Sequence, residues 1–457
     1  MKLIYGIKDK PKFGQVIVFA IQQLLAIMAA TLVVPVIINT SGTMPEGAPA
    51  MSSAAALFGA GVGTLIYLLF TRFKSPVFLG SSFAFIGSMC AAFAGAVSAQ
   101  AGYLGLIIGA VVAGLIYVLI ALLVKLVGVK WIAKLMPAVV IGPTVAIIGL
   151  SLAGNAIGDL QTAPAGGSVY IAILCGLVTL AVTMLCATFG KKMVRLIPFI
   201  MGILAGYALA AIFTVIGNKA GIDALKVINF APLTDLFTNF GVSSIVSVPE
   251  FTFMEAIKGI KDIDGAYLGT VAVAYAPVAM VVFAEHIADH KNLSSIIEQD
   301  LLEEPGLHNT LLGDGVGSMA GAVFGGCPNT TYGESVGCVA ITGNASIVTI
   351  LTTAIMAMAI SFLSPFVAFV NTIPSCVMGG VCMALYGFIA VSGLKMIQKV
   401  DLEQNRNLFV VSVILITGIG GLSVSFGKVT LTTIACALIL GILTNVMLGR
   451  KDKKKDE

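Results

Sequence analysis

Long apolar stretches follow one another along almost the whole chain, and many reach the roughly 20 residues that a helix needs to cross a bilayer. That feature decides what the chain can fold into. Of 457 residues 58% are hydrophobic and 11% charged, against about 25% charged in a soluble domain, so there are too few polar side chains to cover a water-facing surface. A water-soluble enzyme, a disordered chain and a secreted disulfide scaffold are excluded. The 8 cysteines lie in or beside apolar stretches without a CxxC pair and read as small core residues. With only 3 histidines and no ligand spacing, no metal and no cofactor are expected. No paired catalytic set is spaced along the chain, so no enzymatic activity is expected either.

Cutting the sequence at Lys/Arg, Pro/Gly and polar clusters predicts an all-α polytopic membrane protein of fourteen spans, 15–39, 50–70, 77–97, 104–124, 136–157, 169–189 and 196–216, then 267–287, 311–326, 330–343, 346–370, 373–391, 408–422 and 429–448. The basic stretch 1–14 precedes an apolar run too long for a cleaved signal, so the first span is expected to stay. Fourteen spans put both ends on one side, and that side holds 21 of the 26 Lys and Arg residues, as a cytoplasmic side should. Trp131, flanked by Lys130 and Lys134, reads as an interface anchor, and the tail from Arg450 as a solvated basic end. The long loop 218–265 is placed outside the cell and divides the spans seven and seven. Ser81-Ser82-Phe83-Ala84-Phe85 is echoed by Thr330-Thr331-Tyr332-Gly333-Glu334, and Pro137-x-x-Val140-x-Gly142 by Pro374-x-x-Val377-x-Gly379. Both echoes lie seven spans apart. An odd number of spans per copy inverts the second copy, and inverted repeats are a transporter architecture with the ligand near the bilayer midplane.

The stretch from Gly326 to Glu334 does not begin as a helix, because Pro328 pushes Cys327 toward extended geometry and Thr330-Thr331-Tyr332 favours a strand. Gly80 permits the same break before Ser81. Extended backbone at membrane depth must be hydrogen-bonded, and short antiparallel strands interrupting the third and tenth spans satisfy that need. The half-helices that follow aim their N-terminal amides at the junction. Ionisable residues inside spans are functional candidates by default. Glu285 and Glu334 lead, each able to bind a ligand N–H and exchange a proton, although a snorkelling residue and a helix-start carboxylate are the plainer readings. Asp289 and His286 lie near Glu285 as possible relays. His290 reads as part of a charged cytoplasmic turn, Asp314 as a hydrogen-bonding anchor for a neighbouring helix, and Gln22 and Gln23 as interhelical hydrogen-bonding residues.

At these residues, above all Gly325-Gly326-Cys327-Pro328-Asn329-Thr330-Thr331-Tyr332-Gly333-Glu334 with Ala284-Glu285-His286-Ile287 and Gly306-Leu307-His308-Asn309-Thr310, the sequence resembles the nucleobase/ascorbate transporter family, also called nucleobase:cation symporter family 2. The resemblance spans essentially the whole chain. It implies a core domain, 15–134 and 266–370, moving against a gate domain, 135–217 and 373–448, in a homodimer of the cell membrane. It also implies proton-coupled uptake of a pyrimidine base, uracil, with the proton as coupling ion and no nucleic-acid partner. Glu285 and Glu334 would hold the ring edge, the amides of Phe83 and Gly333 would meet ring carbonyls, and Ala30, Phe83, Tyr332 and Tyr386 would form the walls. Glu285, Glu334, Asp289 and His286 would carry the coupling proton. Departures from the family pattern fall at Gln23, Asp289, Ser335 and Gly343 and leave open a purine such as xanthine or urate. An anion transporter is the remaining alternative, disfavoured by two carboxylates facing the site.

Overall fold

The computed structural model describes residues 3–128, 137–191, 193–238, 240–426 and 429–449. Trp131 with its flanking lysines and the tail from Arg450 lie outside the described residues. Helices of eight or more residues are α1 Phe13–Thr40, α2 Ser53–Phe70, α3 Ile86–Ala94, α4 Ala99–Val127, α5 Ala138–Ser151, α6 Ala153–Leu160, α7 Val169–Phe189, α8 Pro198–Ala220 and α9 Ala231–Thr238. They continue as α10 Gly265–Ile297, α11 Leu307–Gly325, α12 Gly333–Thr342, α13 Ile347–Ile360, α14 Ser364–Thr372, α15 Ser375–Ile397, α16 Asn405–Ile419 and α17 Thr433–Gly449. The described residues also form four short strands, β1 Leu79–Ser81, β2 Asn329–Thr331, β3 Val424–Phe426 and β4 Val429–Leu431. Among the described residues eight stretches are long and apolar enough to cross a membrane: α1, α2, α4, α5 with α6, α7, α8, α10 and α15. The chain is therefore a multi-pass membrane protein.

The most extensive helix packing falls into two sets. In one, α11 lies against α2 and α4, α10 against α4, and α13 against α1 and α2; in the other, α15 lies against α5, α6 and α7, α8 against α7, and α16 against α5 and α17. Glycine makes the closest approaches possible. A Cβ on Gly63 would stand 2.8 Å from the Gly317 carbonyl oxygen, and one on Gly317 would stand 2.7 Å from that of Gly63. Small residues let backbones meet this way where lipid offers no hydrophobic drive for helices to associate.

Between α2 and α12 the chain is extended twice, and β1 and β2 form an antiparallel ladder in the register Leu79↔Thr331, Gly80↔Thr330 and Ser81↔Asn329. The ladder supplies partners to backbone that has no helix to serve it. Beyond β1 a single 3-10 turn, Phe83–Phe85, leads into α3. The N-terminal segment is tied to the far end of α12: Ile4 N donates to Gly343 O at 2.7 Å, Ala345 N to Tyr5 O at 2.9 Å and Ile347 N to Ile7 O at 3.1 Å.

Three of the differences between the expected span limits and the structure have a clear physical reason. The stretch 346–370 is two helices, α13 and α14, and the break is bonded from the loop before α10, with Ser364 N donating to Ile245 O at 3.0 Å and Ser247 N to Phe362 O at 2.9 Å. The stretch 429–448 opens with β4, hydrogen-bonded to β3, and becomes helical at Thr433. The eighth span does not end at 287, because α10 runs on to Ile297. Leu293 and Ile297 cluster there with Val336 and Val339 of α12, so apolar packing carries the helix past its charged residues.

Candidate functional site

A cavity of about 410 Å³ opens between the two helix sets, within the ~300–1,000 Å³ usual for small-molecule sites. Its two walls differ in chemistry. One wall carries the polar groups: Glu285 and Asp289 on α10, Ser82 and Phe83 after β1, Thr330 and Thr331 of β2, and Tyr332, Gly333 and Glu334 leading into α12. The other is apolar, with Val145 and Ile148 of α5, Phe199 of α8, and Leu385, Phe388, Ile389 and Met396 of α15, relieved only by Ser392.

Local sequence explains the polar wall. Glu285 and Asp289 are four apart on one helix, so both face the same way. The first amides of α12 have no preceding turn to bond, and they point their partial positive charge into the cavity at Gly333 and Glu334. Thr331 Oγ1 donates to Asp289 Oδ2 at 2.9 Å, which joins α10 to β2 beneath the cavity. Tyr332 Oη donates to Ser81 O at 2.7 Å, laying its ring across Gly80, where any Cβ would collide with it. Glycine is required there by the ring, not by a turn.

Five of the residues expected to bind substrate, Glu285, Glu334, Phe83, Gly333 and Tyr332, line this one cavity together with Asp289. Ala30 and Tyr386 do not. Ala30 is fully buried in the cluster that also holds Tyr332, Ile27 and Phe78, because it sits on the face of α1 turned toward that packing. Tyr386 is 2% exposed and sets its ring edge against Phe83, with centroids 6.2 Å apart, so it supports a lining residue from behind. Most of the apolar wall is absent from the residues named from sequence. Its signal was the spacing of Leu385, Phe388, Ile389, Ser392 and Met396 along one face of α15.

His286 is also off the cavity. Its Nδ1 lies 2.7 Å from Asp314 Oδ2 and its Nε2 3.0 Å from Thr310 Oγ1, all three residues being fully buried. Thr310 Oγ1 also lies 3.0 Å from Leu307 O, so its one hydroxyl hydrogen serves either that carbonyl or Nε2, and the tautomer of the imidazole follows from which it serves. A single proton bridges Nδ1 and Oδ2 in either case, whichever atom carries it. His290, expected in a cytoplasmic turn, is instead fully buried: Nδ1 is 2.8 Å from His286 O, Nε2 is 2.6 Å from Tyr67 Oη, and the two imidazoles stack at 4.1 Å. The continuation of α10 carried it inside. Asp314 reaches back toward the cavity through Thr330 Oγ1, at 3.5 Å.

Discontinuous helices meeting at a cavity inside a multi-pass membrane chain define a membrane transporter. The chain belongs to the Permease family, whose family model (Xan_ur_permease) matches residues 14–426. It is 36% identical to a uracil permease of Bacillus subtilis (strain 168) over 100% of this chain and 98% of that one. It is 33% identical to a uracil permease of Escherichia coli (strain K12), covering 96% and 92%. Among solved structures it superposes on the transmembrane domain of a cyanobacterium bicarbonate transporter, BicA, with TM-score 0.61 at 15% identity, covering 96% of this chain and 99% of that one. The inward-facing murine anion transporter Slc26a9 gives 0.63 at 12%, covering 97% and 69%. The two solved structures share the fold.

Proposed function

We propose that this chain carries uracil across the membrane together with protons, by alternating access. The observation that carries the reading is the meeting of Glu285 and Glu334 in one cavity with the exposed amides of α12, in a chain similar over its whole length to proteins named uracil permease. A pyrimidine ring edge alternates N–H donors and C=O acceptors. The carboxylates accept from the N–H groups, and the amides at Gly333 and Phe83 donate to the carbonyls. Three carboxyl groups share the cavity with no Lys or Arg among its described lining residues, so like charges repel there, and a bound proton removes one of them. That links proton occupancy to a site able to hold a neutral ring.

In this reading the crossings number fourteen, in two inverted repeats of seven. The eight long helices are completed by β1 with α3, α11, β2 with α12, α13 with α14, α16 and α17. Supporting the repeat, α5 and α15 both start directly after a proline in extended geometry, Pro137 and Pro374. The helix set bearing the polar wall is the core domain, and the set bearing the apolar wall is the gate against which it moves. The transporter sits in the cell membrane as a homodimer with both ends in the cytoplasm, where 21 of the 26 Lys and Arg residues would then lie. The test is uptake of labelled uracil by proteoliposomes, with and without an inward proton gradient, in the presence of xanthine or 5-fluorouracil. Accumulation driven by the gradient and blocked by 5-fluorouracil alone is expected. Uptake blocked equally by xanthine would replace uracil with a purine as substrate.

A further inference from the structure

We infer that Ser335 is a positioning residue for the ligand site, joining three separate elements so that Glu334 is held at a fixed angle to the cavity. The inference rests on the uracil reading for its ligand and on the geometry for everything else. Ser335 follows Glu334 in the first turn of α12 and is fully buried. Its Oγ accepts a hydrogen bond from Phe78 N at 3.0 Å and a short one from Gln23 Nε2 of α1. Phe78 stands immediately before β1, is itself fully buried, and Gln23 is 3% exposed.

The need for this hydroxyl arises where the ladder turns into a helix. Tyr332 N donates to Phe78 O at 3.2 Å, which extends the ladder by one pair. The return bond, from Phe78 N to Tyr332 O, is not made. Tyr332 O instead accepts the first helical bond of α12, from Val336 N at 3.2 Å, and so points along the helix axis. Phe78 N is thereby left inside the membrane domain without a carbonyl, and an unpaired amide there is costly. Ser335 Oγ takes the place of the missing carbonyl. Because the same oxygen is also held by Gln23, the rotation of the first turn of α12 is fixed from two directions. Glu334, one residue earlier in that turn, inherits the orientation.

The test uses the full-length purified protein in detergent, comparing wild type, Ser335→Ala, Ser335→Thr, Gln23→Ala and the double variant Gln23→Ala/Ser335→Ala. Amide hydrogen exchange over residues 329–342 reads the geometry without any ligand, and uracil titration calorimetry reads the site. Ser335→Ala is expected to speed exchange in the first turn of α12 and to raise the uracil Kd by about tenfold, the effect of one lost buried hydrogen bond. Ser335→Thr, which keeps the hydroxyl, should stay near wild type in both. Removing Gln23 should cost less in the Ser335→Ala background than in wild type. Unchanged exchange and unchanged Kd in Ser335→Ala would overturn the inference, as would additive effects of the two substitutions. A general loss of stability would instead lower the melting temperature and speed exchange throughout the helices, which also counts against a positioning role. If wild type binds no uracil, the substrate reading fails, and the exchange measurement still decides the role of Ser335.

Discussion

Glu285 and Glu334 were conspicuous in the sequence because a charge within an apolar run needs a reason to be there. Both stand in the cavity wall. What such reasoning did not find was the company these residues keep: His290 looked like part of a hydrophilic turn, and only the fold brings Tyr67, more than two hundred positions away, to its ring. If Glu334 accepts a ring N–H, Glu334→Gln should weaken uracil binding by about 1.5–3 kcal/mol, the worth of a hydrogen bond to a charged group. Calorimetry on the purified variant would show it as a ~10–150-fold rise in Kd, and near-normal affinity would remove Glu334 from the site. The His286–Asp314 pair predicts a different pattern. Asp314→Ala strands a buried imidazole nitrogen and should cost about 1–3 kcal/mol of stability, whereas Asp314→Asn can turn either its amide N–H or its carbonyl toward Nδ1 and should melt close to wild type.

Element α11 teaches the opposite lesson. By propensity its glycines argue against a helix, yet it forms a continuous helix of 19 residues. The glycines that weaken it in isolation are what admit it to the face of α2. Gly317→Leu should therefore prevent the two helices from closing, because the added atoms meet the Gly63 carbonyl, which cannot swing aside as the neighbouring Leu79 side chain can. Overpacking costs about 1–3 kcal/mol even where neighbours can shift, and backbone shifts less readily. Fluorescence-detected size exclusion should show little monodisperse protein, while Gly317→Ala should be milder. Two other elements escaped notice for lack of a local signal. The break between α13 and α14 is satisfied by a loop distant in sequence, and the β3–β4 ladder pairs residues from between two expected spans with the first residues of the last one.

At the scale of the molecule, the length and number of apolar runs already announced a multi-pass chain, but the division into two packing sets depends on which helices touch, and contact is not written in any one segment. The apolar wall belongs to one set and the hydrogen-bonding wall to the other, so a bound ring would be held firmly by one and only leaned upon by the other. Enlarging that leaning surface should affect transport more than binding. Phe388→Trp is expected to lower the uptake rate several-fold while leaving the uracil Kd within about threefold, since no directional bond is lost. Equal losses in both measurements would place Phe388 in direct recognition. The ladder between β1 and β2 bears on how the protein is made. Leu79–Ser81 emerges from the ribosome about 250 residues ahead of Asn329–Thr331, and loop closure over such a distance is slow. Until the second strand arrives, the first must have its amides served by water or by the insertion machinery, so the binding site is among the last features to exist, and a prematurely ended chain would carry every long helix of the first half and no site at all.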